Sequence, residues 1–265
     1  MKTGLFLQAV FPDDQGFDSC CQFFCSSISP QGLNNMLFSN QKNCILCDST
    51  STEDFCEPCT AHLPWLLQQH CPVCLWPTPD GQICGACLQK PPAYTRTVAA
   101  LSYTFPVDAL IQALKYQANL AMAPILARLI IKKLHDTPYK PDLLVPMPLH
   151  PARLRERGFN QAMELSRVIS RQMNIPILTN GCQRTKNTPP QARLPWKARR
   201  SNIRNAFECT MTLSGKHVAI VDDVMTTGTT LNELAIILRR QGAAEISNWI
   251  VARTLPETNL LDSPH

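Results

Sequence analysis

No uninterrupted apolar run in this chain approaches bilayer length. A stretch such as PILARLII at 124–131 ends at Lys132 and Lys133, whereas a spanning helix needs about 20 apolar residues. The N-terminal MKTGLFLQAVF is interrupted by Gln8, followed by Asp13 and Asp14, and has no small-x-small cleavage site. A secretory leader is therefore not expected, and the expectation is a soluble protein. A G-x-G-x-x-G fingerprint is absent, so dinucleotide binding of the usual kind is excluded. The small-residue loop at 226–230 contains no lysine, which rules out a Walker A loop. Beyond its cysteine pairs the chain shows no internal repeat.

What is present supports more than one module. With 265 residues and 45% hydrophobic content, the chain can bury one full-sized core and retain material for a small second domain. The net charge of +5 conceals an uneven distribution: residues 150–204 hold twelve Lys and Arg against Glu156 and Glu164 alone. A basic segment of this kind is either a solvated surface or a footprint for phosphate or nucleic acid.

Eight of the thirteen cysteines fall in four C-x-x-C pairs, CILC, CEPC, CPVC and CGAC, between 44 and 87. Each pair places two sulfurs on one side of a tight knuckle, and two knuckles supply the four thiolates of a tetrahedral zinc site. Sequential pairing joins Cys44, Cys47, Cys56 and Cys59 in one site and Cys71, Cys74, Cys84 and Cys87 in another; interleaved pairing is the alternative. A site filled by four cysteines has no open position, so this Zn²⁺ is structural. Thiolate clusters suit a reducing cytoplasm better than an oxidising compartment.

The domain boundaries follow from composition. Residues 1–43 lack periodicity and are expected to form a poorly ordered extension, with Met36 as a natural start that N-terminal mass spectrometry would check. The cysteine module occupies 44–87, and the paired prolines of LQKPPAYT at 88–95 form a linker. From 96 to 255 strand and helix patterns alternate. RTVAALSYT, DLLVPMP, IPIL, HVAIVDD and EISNWIVARTL read as strands; VDALIQALKY, LAMAPILARLIIKKL, NQAMELSRVISRQM and TTLNELAIILRRQG read as helices. This order predicts an α/β domain with a parallel sheet flanked by helices, followed by a tail at 256–265.

The stretch HVAIVDDVMTTGTTLNE at 217–233 carries the strongest chemical signal. A buried strand delivers Asp222 and Asp223 to its carboxyl end, where ligands of open α/β sheets bind. The loop of Thr226, Thr227, Gly228, Thr229 and Thr230 then opens a helix whose N–H groups and hydroxyls can cradle a phosphate. Two carboxylates would repel that anion unless they face sugar hydroxyls or hold a divalent cation, and a ribose 5-phosphate moiety satisfies both demands.

VAIVDDVMTTGTT closely resembles the phosphoribosyl pyrophosphate (PRPP) motif of type I phosphoribosyltransferases. VPMPLHPARLRERGFNQA at 145–162, CLQKPPAY at 87–94, RTKNTPPQARLPWKARRSNIRNAF at 184–207 and the cysteine ribbons further resemble the ComF family of competence-associated proteins, with the GntX branch the nearest likeness. The resemblance implies a type I phosphoribosyltransferase-like fold preceded by a double zinc ribbon. Asp222 and Asp223 would then meet the ribose hydroxyls, directly or through Mg²⁺, and residues 226–230 would hold the 5-phosphate. Pyrophosphate would lie near Met147–His150, where Pro146 and Pro148 have no N–H to donate, leaving Arg153, Arg155 and Arg157 as candidate partners. Thr226 stands where enzymes acting on 6-oxopurines carry an aspartate, which argues against that acceptor class. The family further implies a role in DNA uptake or the use of DNA as a nutrient. Its alternative form is a non-catalytic single-stranded-DNA or nucleotide-sensing module working with a helicase-like or other DNA-processing protein, with Arg199 and Arg200 beside Trp196 as the nucleic-acid candidates.

Overall fold

The computed structural model describes residues 42–66, 69–135, 137, 140–186 and 205–255. Met36, Trp196, Arg199 and Arg200 lie outside the described residues. Two compact units meet between Leu63 and Pro64, within the cysteine-rich stretch.

The second unit is built on four parallel strands, β3 (Arg96–Ser102), β4 (Leu143–Pro146), β7 (His217–Met225) and β8 (Glu245–Arg253), in the order β3-β8-β7-β4. The two central strands, β7 and β8, are buried along almost their whole length, as expected of strands covered on both faces. Helices α3 (Val107–Tyr116), α4 (Met122–Leu134), α5 (Pro151–Arg157), α6 (Gln161–Met173) and α7 (Thr229–Arg240) complete the domain. Helix α4 packs on β3 and α6, α6 on β4 and β7, and α7 on β8. Alternation along β7 sends Val218 and Ile220 into one cluster with Leu234 and Leu238 of α7, while Ala219 and Val221 face the opposite side.

Two local expectations changed. IPIL forms only a bridge from Ile177 to Leu144, because Pro176 accepts from Leu144 but has no N–H with which to extend the ladder. Conversely, the polar stretch after 181 contains β5 (Cys182–Arg184), which pairs antiparallel with β6 (Phe207–Cys209). A pairing across more than twenty residues leaves no local periodicity to read.

The second cysteine ribbon belongs to this unit. Its last turn is the short helix α2 (Gly85–Gln89), and the chain before it runs beside β3. The Leu66 N–H donates to Ala100, the Ser102 N–H to Pro64, and the Thr97 N–H and hydroxyl donate to Pro72 and Val73. Leu66, Cys71, Val73, Cys87 and Tyr94 are buried in the same cluster as β7 and α7.

The first unit contains a two-residue hairpin, β1 (Lys42–Asn43) with β2 (Thr50–Ser51), and the helical turn α1 (Glu57–Ala61). Its tight turns place Cys44 and Cys47 opposite Cys56 and Cys59.

Candidate functional site

Strand β7 ends at Met225 and α7 begins at Thr229, so the small-residue loop is the connection between a central strand and its helix. Gly228 caps α7 with φ +74° and no side-chain cap, leaving the helix N-terminus open to a ligand. Glycine is required here twice over. The left-handed backbone disfavours other residues, and a Cβ would lie 2.7 Å from Met225 Cε and 2.8 Å from Tyr94 Oη. Thr227 Oγ1 lies 2.8 Å from Thr229 Oγ1 and accepts from the Thr229 N–H. Asp222, Val224, Met225, Thr226, Gly228, Thr230 and Leu231 line a small pocket at this edge.

The two acids have different surroundings. Asp223 is 3% exposed, and one of its oxygens meets Lys115 Nζ at 2.7 Å. Burial alone would pull the Lys115 ammonium down, but Asp223 outweighs it and holds the amine above its ordinary value. Burial pushes the Asp222 carboxyl up, and the Asp223 charge adds to it, giving about 8. Asp222 therefore holds its proton to higher pH than an ordinary carboxyl, and the Asp223 carboxylate is paired with Lys115. The acid pair that looks repulsive in the sequence has a buried cation beside it.

Lys115 was missed by sequence reasoning, although a signal existed. Val107, Leu110, Ile111 and Leu114 form the buried face of α3, and Lys115 is four residues after Ile111, on that same face. Arg184 is a second addition: β5 brings it into electrostatic contact with Asp222 and Arg153, and its guanidinium lies 5.7 Å from the Phe207 ring centre. Burial lowers the Arg184 pKa, an effect Asp222 opposes.

The turn after β4 offers few N–H groups. The Met147 N–H is already given to Val221, and its carbonyl accepts from Asn160 Nδ2. Asn160 also caps α6, as its sequence position allows, by accepting from Ala162 and Met163. The three arginines of α5 diverge. Arg153 pairs with Glu156 at 2.7 Å, whereas Arg157 donates to Gln161 Oε1 and lies over Tyr116. Arg155 lies in the last turn of the same helix.

The cysteines resolve into sequential groups: Cys44, Cys47, Cys56 and Cys59 form one, Cys71, Cys74, Cys84 and Cys87 the other, each with its sulfurs within 4.8 Å of one another. Tetrahedral zinc with bonds of about 2.3 Å requires sulfurs about 3.8 Å apart; Cys47 and Cys56 are 3.5 Å apart, as are Cys74 and Cys84. Both groups fit a structural zinc ion. Without a cation the thiols cannot all ionise: burial pushes Cys74 up to about 11 and Cys87 higher still.

The chain matches the family described as phosphoribosyl transferase domain over residues 112–255 and the double zinc ribbon domain over residues 33–88. DNA utilization protein YhgH of Escherichia coli strain K12 is 38% identical over 191 residues, spanning 70% of this chain and 84% of that protein. Competence protein F of Haemophilus influenzae is 39% identical over 181 residues, spanning 65% and 79% respectively. Competence protein ComFC of Bacillus subtilis strain 168 is 23% identical over 233 residues, spanning 80% and 95%.

Proposed function

The chain belongs to the ComF family of phosphoribosyltransferase-domain proteins with a double zinc ribbon, and we propose on that premise that it binds PRPP with Mg²⁺ and transfers its phosphoribosyl group to a nucleophilic acceptor. The carrying observation is the edge where Asp222 and the Lys115–Asp223 pair stand beside an uncapped helix N-terminus. Thr226, Thr227, Gly228, Thr229 and Thr230 hold the 5-phosphate through backbone and hydroxyl donors. Asp222 and Asp223 face the ribose hydroxyls, and Lys115 fixes the Asp223 carboxylate in place. Arg153, Arg155 and Arg157, together with Arg184, whose charge interacts with Asp222, are the candidate partners of the pyrophosphate. Because Asp223 is engaged by Lys115, Asp222 is the carboxylate available to Mg²⁺, whose chemistry there is to neutralise the leaving pyrophosphate. Attack on the anomeric carbon breaks the bond to pyrophosphate; positioning and charge neutralisation supply the rate. The thiolate clusters support a reducing, cytoplasmic setting.

Saturating PRPP with Mg²⁺, at about 100 times its Kd, should raise the melting temperature by roughly 5–10 °C. Asp222→Asn with Asp223→Asn should abolish the rise; a mutant that retains it would overturn the assignment. The pH dependence has a defined sign. The folded-state pKa of Asp222, about 8, exceeds the unfolded value of about 4, so its contribution to stability is present below about 4 and is lost as pH rises towards about 8. Ligand that engages the ionised carboxylate releases that proton, so affinity rises with pH to about 8 and then levels off in calorimetric titrations.

A second reading, in which the chain binds single-stranded DNA without catalysis beside a DNA-processing partner, draws only on relatives named for DNA utilization and competence. That reading requires affinity falling steeply with salt and lost on charge reversal at Arg199 and Arg200.

A further inference from the structure

Arg253, the last residue of β8, is 5% exposed, and its side chain donates to backbone carbonyls. Its Nε donates to the carbonyl of Cys74 at 3.0 Å. Its terminal Nη1 donates to the carbonyl of Met225 at 3.1 Å and also to those of Thr226 and Thr254. One rigid guanidinium thus joins the backbone of a metal-binding cysteine to the backbone on which the phosphate loop begins. A planar fork with donors on several sides can hold two main-chain segments in fixed relation, which a lysine cannot do.

A second contact runs in parallel. Tyr94 lies a few residues after Cys87 and is buried in the same cluster as Cys71, Cys87, Met225 and Leu231. Its hydroxyl approaches Gly228 so closely that a Cβ there would be 2.8 Å away. The adjacent Ala93 N–H donates to Asn232 Oδ1 at 2.7 Å, and the Ala93 carbonyl accepts from Arg239 Nε, both on α7. The ribbon and the segment leaving it therefore brace the loop from its start, its middle and its helix.

We propose that Arg253 is a positioning residue through which metal loading of the second cysteine cluster, Cys71, Cys74, Cys84 and Cys87, sets the geometry and affinity of the 225–230 anion loop. The proposal rests on PRPP being the ligand of that loop, but its structural core does not. With the cluster filled, the Cys74 carbonyl is fixed, Arg253 is anchored at its Nε end, and the loop carbonyls at Met225 and Thr226 are held so that the following N–H groups point outward. With the cluster empty, the knuckle loosens and the anchor goes with it. The metal takes no part in the reaction; it acts through main-chain position, as outer partners of metal ligands commonly do in reverse.

The test uses full-length protein and three variants: Arg253→Gln, Cys74→Ser and Cys47→Ser. Zinc content, amide exchange of residues 224–231 in ligand-free protein, and PRPP–Mg²⁺ affinity are measured for each. Arg253→Gln should keep both zinc ions, raise exchange in the loop by about tenfold without a like increase across the sheet, and weaken PRPP by about tenfold. Cys74→Ser should lose one zinc ion and show the same loop effect. Cys47→Ser should lose one zinc ion and leave loop exchange and affinity unchanged. Wild-type loop exchange in Arg253→Gln, or an equal loop effect from Cys47→Ser, would overturn the proposal. If Cys74→Ser does not fold, as far-ultraviolet circular dichroism would reveal, the Arg253→Gln comparison decides alone. If wild-type protein fails to bind PRPP, the functional reading falls while the exchange measurements still judge the coupling.

Discussion

The two cysteine clusters are built alike and embedded differently. In each, the first cysteine accepts a backbone hydrogen bond from the residue four positions on, Asp48 in the first and Leu75 in the second. Both of those residues are left-handed, with φ of +61° and +60°. In each, the third cysteine caps a single helical turn that carries the fourth. The first cluster is closed by hydrogen bonds among its own residues, such as Cys44 with Ser49 and Ile45 with Asp54. The second shares a hydrophobic cluster with β7 and α7 and hydrogen-bonds to β3 and Arg253. One knuckle design therefore lies once within the first compact unit and once inside the core of the second. Neighbours, not ligands, determine how far the loss of a metal should spread.

The largest expected contrast comes from removing one buried ligand in each cluster. Cys71→Ser should lower the calorimetric melting temperature of the second unit by roughly 10 °C, since metal binding free energy is folding free energy. Cys44→Ser should leave that transition in place; comparable shifts from both would erase the distinction. A smaller effect should come from Lys115→Met, which leaves Asp223 buried without its cation and costs about 3 kcal/mol. Chelator challenge should then release one zinc ion faster and the other at its original rate, and Asp223→Asn in the same chain should restore most of the loss. The smallest contrast concerns the matched left-handed residues. Asp48→Gly relieves about 1 kcal/mol of backbone strain while giving up the hydrogen bond from Asn43, so it should be close to neutral. Leu75→Gly relieves the same strain but strips a side chain packed against the core, and denaturant midpoints should show net destabilisation of about 1 kcal/mol.

Much of this molecule was legible beforehand because its signals are local. The apolar run of HVAIVDD and the Thr-Gly loop after it specify a buried strand and a helix start within a few residues, and C-x-x-C spacing specifies a knuckle within four. Helices of amphipathic period were read nearly to their ends. What escaped the sequence depends on distant partners. The β5–β6 ribbon is invisible until residues 182 and 209 are brought together. Arg253 reads as the polar end of a strand until Cys74 and Met225 are seen to converge on it. Lys115 falls on the buried face of its helix by spacing, but its purpose is hidden until Asp223 is seen opposite it. The upward shift of the Asp222 carboxyl likewise follows from burial and the neighbouring Asp223 charge, which no dipeptide announces.

The pairing of Pro64, Leu66 and Pro72 with β3 has a consequence for how the chain avoids its own kind. β3 is one of the two terminal strands of the sheet, and a terminal strand exposes a row of N–H and C=O groups that can recruit a strand from another molecule. Here the chain leading into the second ribbon occupies that row, with bonds between Leu66 and Ala100, Ser102 and Pro64, and Thr97 and Pro72. The ribbon is thus also an edge guard, and stripping it away would turn a folded domain into a template for aggregation.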